Sequence, residues 1–218
     1  MELVASTAGT VSAEKGRAVG ALGGTFDPPH FGHLVGAQEV QTILGLERVL
    51  FVPSGVPPHK QGEPVTDVAH RVRMVELAIA GNPGFELCLA DVERPGPSYT
   101  VDLVPILQAT CGEDAELYFL VGGDSVGDLP LWREPAELLR RCRVVTFTRP
   151  GYPEPDLDQL ERKVPGARGR ISILRTPGVA VSSSELRSRV SQGLPIRYLV
   201  PQAVEDYIHE HGLYRGPS

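Results

Sequence analysis

The chain has 218 residues, of which 41% are apolar and 22% charged, with a formal net charge of −6. That length supports one large domain or two small ones with a sizeable core, and the composition excludes a wholly disordered polymer. The acidic balance argues against a broad nucleic-acid or anionic-membrane surface, while leaving room for a local basic pocket.

Cys88, Cys111 and Cys142 are widely spaced and form neither a disulfide framework nor a zinc pattern. No apolar run reaches the roughly 18 residues of a spanning helix. The first residues lack a signal peptide's charged head and apolar centre. The expectation is a soluble, cytoplasmic protein with no membrane or nucleic-acid partner. The sequence leaves homo-oligomerisation open.

Residues 1–17 are small and polar and read as a flexible extension before one domain over 18–214, with a short tail at 215–218. Ala18–Gly24 is a short apolar strand stopped by glycine. From Gly32 to Leu44 the apolar positions follow helical spacing, and Arg48–Ser54 is a β-branched strand ended at Pro53. A Pro- and Gly-rich loop covers 55–64. Asp67 then caps a helix through Ile79. Phe85–Asp91 reads as a strand and ERPGPS as a loop. Thr100–Ala109 reads as a helix in spite of Pro105.

Glu116–Asp124 is the clearest strand and runs into a glycine turn. A helix at 135–141, a strand at 143–148, a helix at 157–163 and a strand at 170–174 follow. Helices at 183–191 and 201–210 form a small C-terminal helical portion. Strands alternating with helices of about ten residues predict an α/β fold, a doubly wound parallel sheet with helices on both faces. Ligands of such sheets bind beyond the carboxyl ends of the strands, so the residues just after each strand are the ones to examine.

After the first strand comes GGTFDPPHFGH (Gly23–His33). Glycines admit a phosphate close to backbone N–H groups, and a following helix start adds a favourable dipole. His30 and His33 share one face three residues apart. By itself the stretch also reads as a plain strand-to-helix turn, and less well as a metal-binding pair, since no third ligand stands near. It is not a Walker loop, because no GK[ST] follows. Near the other end, VSSSELR (Val181–Arg187) combines a serine cap, Ser182 or Ser183, with an arginine fork one turn inward.

GTFDPPHFGH resembles the HxGH signature of the nucleotidyltransferase superfamily, and VSSSELR resembles its second signature, [IV]SS[ST]xxR. The stretches FVPSGVPPHK, HRVRMVELAIAG, ERPGPSYTVDL, FLVGGDSVGDLPLWREPAELL, TRPGY and IRYLVPQAVEDYIHEHGLY are similar to the bacterial nicotinate-nucleotide adenylyltransferase family, over about residues 19–214. The resemblance implies a Rossmann-like fold and transfer of AMP from ATP to nicotinate mononucleotide. The products would be deamido-NAD and pyrophosphate, and Mg²⁺ would be held mainly by phosphates and water.

It also implies site residues. ATP would lie against Gly23, Gly24, Thr25, Phe26, His30, His33, Gly122, Asp124, Ser125, Ser182, Ser183 and Arg187, with Asp124 accepting from ribose hydroxyls. The mononucleotide would meet Ser54, His59, Lys60, Ser98, Tyr99, Thr100, Trp132 and Arg149, with Trp132 stacked on the pyridine ring. His30, His33, Lys60 and Arg187 would stabilise the charge of the transferring group. No metal ligand is assigned, and Asp27 is expected to shape its loop rather than bind a cation.

Ser184 stands where relatives usually carry Thr, Leu103 where a Thr is common, and Val126 where Leu is usual. All three are mild departures. The rival readings are the same transfer to nicotinamide mononucleotide or phosphopantetheine, and a non-catalytic nucleotide-binding regulator. The last is disfavoured because both histidines and Arg187 are present and no basic DNA-binding segment accompanies them.

Overall fold

A computed structural model describes residues 17–57, 64–112, 114–148 and 154–215, apart from the side chain of Asp124. Six parallel strands form one sheet: β1 (Ala18–Gly24), β2 (Arg48–Pro53), β3 (Phe85–Leu87), β4 (Glu116–Gly122), β5 (Arg143–Thr148) and β6 (Ile171–Arg175). Their order is β3-β2-β1-β4-β5-β6, and every neighbouring pair is parallel.

Side-chain alternation along each strand divides the core in two. Val19, Ala21, Leu50, Val52, Leu117, Phe119 and Val121 face one side. There they meet Leu103, Val104 and Leu107 of one helix and Leu138 and Leu139 of another. Ala18, Leu22, Val49, Phe51, Tyr118, Leu120 and Phe147 face the other side, against Ala37, Val40 and Leu44 and against Val75 and Ile79.

The helices on this second face are α1 (Phe31–Leu44) and α2 (Val68–Ile79), which link β1 to β2 and β2 to β3. A short α3 (Ala90–Glu93) and then α4 (Thr100–Cys111) carry the chain from β3 to β4 on the first face, followed by α5 (Gly123–Val126) and α6 (Pro135–Arg141). α7 (Leu157–Lys163) and α8 (Ala167–Arg170) precede β6. The order of strands reverses between β1 and β4, and a crevice opens at such a switch point.

Local chemistry sets the helix starts. Asp67 accepts from the Ala69 N–H at 2.8 Å, Asp156 from the Gln159 N–H at 3.0 Å, and Ser182 from the Glu185 N–H at 3.2 Å. α4 runs two residues past its predicted end and tolerates Pro105. One missing N–H costs less than the burial of Val101, Leu103, Val104, Leu107 and Cys111 returns.

Two strand expectations are corrected. Phe85–Asp91 is strand only to Leu87, because Ala90–Glu93 turns into a helix that buries Asp91. Glu116–Asp124 ends at Gly122, and Gly123 already opens α5. A 3₁₀ turn at Leu129–Leu131 and the short α8 had no signal of their own in the sequence.

α9 (Ser183–Ser191) and α10 (Gln202–Glu210) form the C-terminal sector. Val181, Leu186, Ile196, Val200, Val204 and Ile208 bury together with Met74 of α2. The Phe31 N–H at the start of α1 donates to the Leu199 carbonyl at 3.1 Å, which docks this sector against the first loop. Among the described residues no helix is long and apolar enough to cross a membrane.

Candidate active site

A cleft of about 600 Å³ lies at the carboxyl ends of β1, β2 and β4. Of the residues expected at the site, Gly23, Gly24, Thr25, Phe26, His30, His33, Ser54, Ser98, Tyr99, Thr100, Gly122, Ser125, Trp132, Ser182 and Ser183 all line it. His59, Lys60 and Arg149 lie outside the described residues, as does the side chain of Asp124.

The loop after β1 is built around its two histidines. His30 is buried at the N-cap of α1, and its backbone N–H donates to Nδ1 of His33 at 3.2 Å. The two rings stack with centroids 3.7 Å apart, and the buried Phe26 sets its ring edge against His33 at 5.0 Å. Gly32 makes this stack possible, since a Cβ there would lie 2.9 Å from the His30 ring nitrogen. With Nδ1 accepting, the neutral His33 ring carries its proton on Nε2, so this ring is a donor.

The second signature grips the first. Ser183 Oγ donates to the Pro28 carbonyl at 2.8 Å, across 155 positions of sequence, and Arg187 Nη1 donates to the Asp27 carbonyl at 2.8 Å. Ser182 and Ser183 therefore stand at the cleft wall, while one nitrogen of Arg187 holds the loop that carries the histidines. Asp27 is almost fully buried. Its carboxylate accepts from the Thr66 N–H at 3.2 Å and from the Tyr214 hydroxyl at 2.7 Å. Burial first, and the Asp27 charge second, push the Tyr214 phenol well above the ordinary tyrosine value.

The opposite wall comes from the loops after β2 and β3. The Val56 N–H donates to Ser98 Oγ at 3.0 Å, and the Ser98 N–H donates back to the Val56 carbonyl at 2.9 Å. Asp91 accepts from the Gly55 N–H at 3.0 Å and from Arg94 Nε at 2.7 Å. Trp132 is partly buried, with its ring edge-on to Phe119 at 6.4 Å. The Arg133 guanidinium sits 5.0 Å from the Tyr99 ring and pairs with Asp102 at 3.1 Å.

Beneath both loops lies Arg71 of α2, 1% exposed. Its Nε donates to the Thr66 carbonyl at 2.9 Å, and its Nη1 to the carbonyls of Thr25 at 2.9 Å and Ser54 at 2.8 Å. Nη2 reaches the Gly55 carbonyl at 3.3 Å. Among the described residues no three His, Cys, Asp or Glu side chains come together as a metal site.

The model for cytidylyltransferase-like proteins matches residues 21–189. A curated protein of Thermomicrobium roseum, named "Probable nicotinate-nucleotide adenylyltransferase", is 48% identical over 197 residues, covering 90% of this chain and 91% of its own. One of the same name from Moorella thermoacetica is 44% identical over 198 residues, covering 90% and 91%. This chain belongs to the nicotinate-nucleotide adenylyltransferase family. The fold agrees with the nicotinic acid mononucleotide adenylyltransferase of Plasmodium falciparum. Its structure complexed with NaAD superposes with a TM-score of 0.73 at 20% identity, covering 91% of this chain and 97% of that one. The same enzyme complexed with APC gives 0.72 over the same shares.

The residues that hold the loops in place are ones the sequence did not single out as site residues. Arg71 stands one turn before Val75 and two before Ile79 on the buried face of α2, a spacing that marks it as an inward arginine. Asp91 lies in the short α3, and Arg133 follows the turn that carries Trp132; besides the nearby Arg94, Asp91 holds Gly55, and Arg133 meets Tyr99 and Asp102, all distant in sequence. Tyr214 carries no local signal.

Proposed function

We propose that this chain transfers the AMP moiety of ATP to nicotinate mononucleotide, releasing pyrophosphate and forming nicotinate adenine dinucleotide. The observation that carries this reading is kinship at 44–48% identity across nine-tenths of both chains with proteins of that name. The stitching of both nucleotidyltransferase signatures at a single cleft supports it.

The acceptor phosphate has a second pKa of about 6 and is already a dianion at neutral pH, so no side-chain nucleophile is required. A phosphate oxygen attacks the α-phosphorus of ATP. The bond from that phosphorus to the bridging oxygen breaks, and pyrophosphate departs with the bonding electrons. The protein's work is to align two polyanions and stabilise the charge that gathers on the α-phosphoryl group and the leaving group. His33, through its Nε2–H, and the backbone of the glycine loop are donors suited to this, with His30, Ser182 and Ser183 beside them.

Arg187 anchors the loop and adds positive charge behind it. Ser54, Ser98, Tyr99, Thr100 and Trp132 form the wall proposed for the mononucleotide, with His59, Lys60 and Arg149 as further proposed contacts, and Asp124 is proposed to accept from the ribose hydroxyls of ATP. Mg²⁺ would neutralise phosphate charge. The donor set fits an ion carried by the triphosphate and water rather than caged by carboxylates, because Asp27 and Asp91 already accept from protein donors.

The test is pyrophosphate release with ATP and Mg²⁺, comparing nicotinate mononucleotide with its amide. Preference for the nicotinate form is expected. Preference for the amide overturns the acceptor assignment, and no release with either overturns the reaction.

A further inference from the structure

Arg71 lies among Met74, Val75 and Ile79 on the buried face of α2, where an apolar side chain would be the ordinary choice. Burying a guanidinium is costly, and hydrophobic replacement of a buried charge is often neutral or stabilising. Burial accordingly pulls the group below the usual arginine value, while Asp27, Asp67, Tyr214 and Asp91 pull it back up. The compensation is four hydrogen bonds, all to backbone carbonyls, from three separate segments. Core filling needs none of them.

Those acceptors are not scattered. Thr25 belongs to the loop after β1, Ser54 and Gly55 to the loop after β2, and Thr66 to the segment leading into α2. A single nitrogen, Nη1, holds the carbonyls of Thr25 and Ser54 at 2.9 and 2.8 Å, so the distance between the two loops is set by one planar group. A second tie crosses the same gap, from the Ser54 N–H to the Gly24 carbonyl at 2.9 Å.

We propose that Arg71 is a positioning residue that fixes the spacing between the loop proposed to hold the nucleoside triphosphate and the loop after β2 that forms part of the mononucleotide wall. This rests on the function proposed above. In a transfer between two separately bound ligands, each loop can bind its own ligand with the spacing wrong, but the attacking oxygen and the α-phosphorus then miss alignment. A misplacement of about 1 Å costs on the order of a hundredfold in rate. Lysine keeps the charge but offers a compact ammonium with three donors, which does not span four carbonyls as the guanidinium does.

The experiment compares wild type with Arg71→Lys and Arg71→Gln in steady-state kinetics and in native-state hydrogen exchange. Kinetically, kcat should fall about a hundredfold in Arg71→Lys while KM for ATP and for the mononucleotide each stay within about threefold. In exchange, the amides of Ser54, Gly55 and Thr66 should open at least about tenfold faster while those of β5 are unchanged.

Raised KM with unchanged kcat overturns the proposal, as do unchanged amides at these positions. Uniformly faster exchange over the whole sheet, or failure of both variants to fold, overturns it in favour of a purely structural arginine. Wild-type pyrophosphate release decides the function separately. If wild type does not transfer, the exchange pattern still decides whether Arg71 sets the loop spacing.

Discussion

His33 uses its two ring nitrogens for different tasks. Nδ1 accepts from the His30 N–H at the start of α1, and that bond leaves the proton of the neutral ring on Nε2, which the proposed function uses as a donor to phosphate. Replacing it by alanine removes one cap and one transition-state donor, and these losses differ in size. A lost helix cap costs about 1 kcal/mol, whereas a lost donor to developing charge costs about a hundredfold or more in kcat. His33→Ala should therefore remain folded by urea denaturation and lose turnover far beyond its loss of stability. Parallel loss of folded protein and activity would make His33 structural. The histidine pair was legible because its spacing and its place after a buried strand are local facts. Arg71 was legible only as a position on the buried face of α2; an arginine in a helix ordinarily reaches water, and only the loops above it reveal why this one points inward.

At the scale of elements, strands that alternate between two buried faces were legible as apolar runs, and helices as spaced ones. β3 was overread because FELCLAD is apolar nearly throughout. The chain turns into α3 there and buries Asp91, which accepts from the distant Gly55 N–H as well as from the nearby Arg94. The seat of α1 on the sheet is likewise hidden in one residue. A Cβ on Gly36 would stand 2.2 Å from the ring of Phe147, which is itself 2% exposed, so the ring or the helix must shift. Helix propensity alone favours Gly36→Ala by about 1 kcal/mol, but overpacking costs about 1–3 kcal/mol, so the clash wins. The variant should lower the urea midpoint. It should also lower kcat beyond the unfolded fraction, because a displaced α1 carries His30 and His33 with it. A midpoint at or above wild type would show that α1 does not depend on this close approach.

For the whole molecule, the class of sheet follows from alternation of elements, but the strand order does not. The crossover that places β4 beside β1 is decided by which faces bury together, and the cleft exists because of that order. The same burial predicts how the molecule meets alkali. Cys142 is pushed up to about 12 by burial, and Tyr118 to about 12 by burial first and by its hydrogen bond to Glu116 second. Tyr214 moves the same way. A group whose folded pKa is raised holds more protons folded than unfolded, so its contribution is fully present below the unfolded value and is lost as pH rises through the folded one. The loss should begin near pH 9 for the Cys142 thiol and near pH 10 for the Tyr118 phenol, and continue to about 12. For Tyr118 the loss amounts to about 1 kcal/mol by pH 11. Melting temperatures of wild type and Tyr118→Phe, measured from pH 8 to 11.5, should fall together until about pH 10 and then diverge, with the phenylalanine variant declining less. Curves that stay parallel through pH 11.5 would show that the phenol of Tyr118 titrates no later in the folded protein than in the unfolded chain.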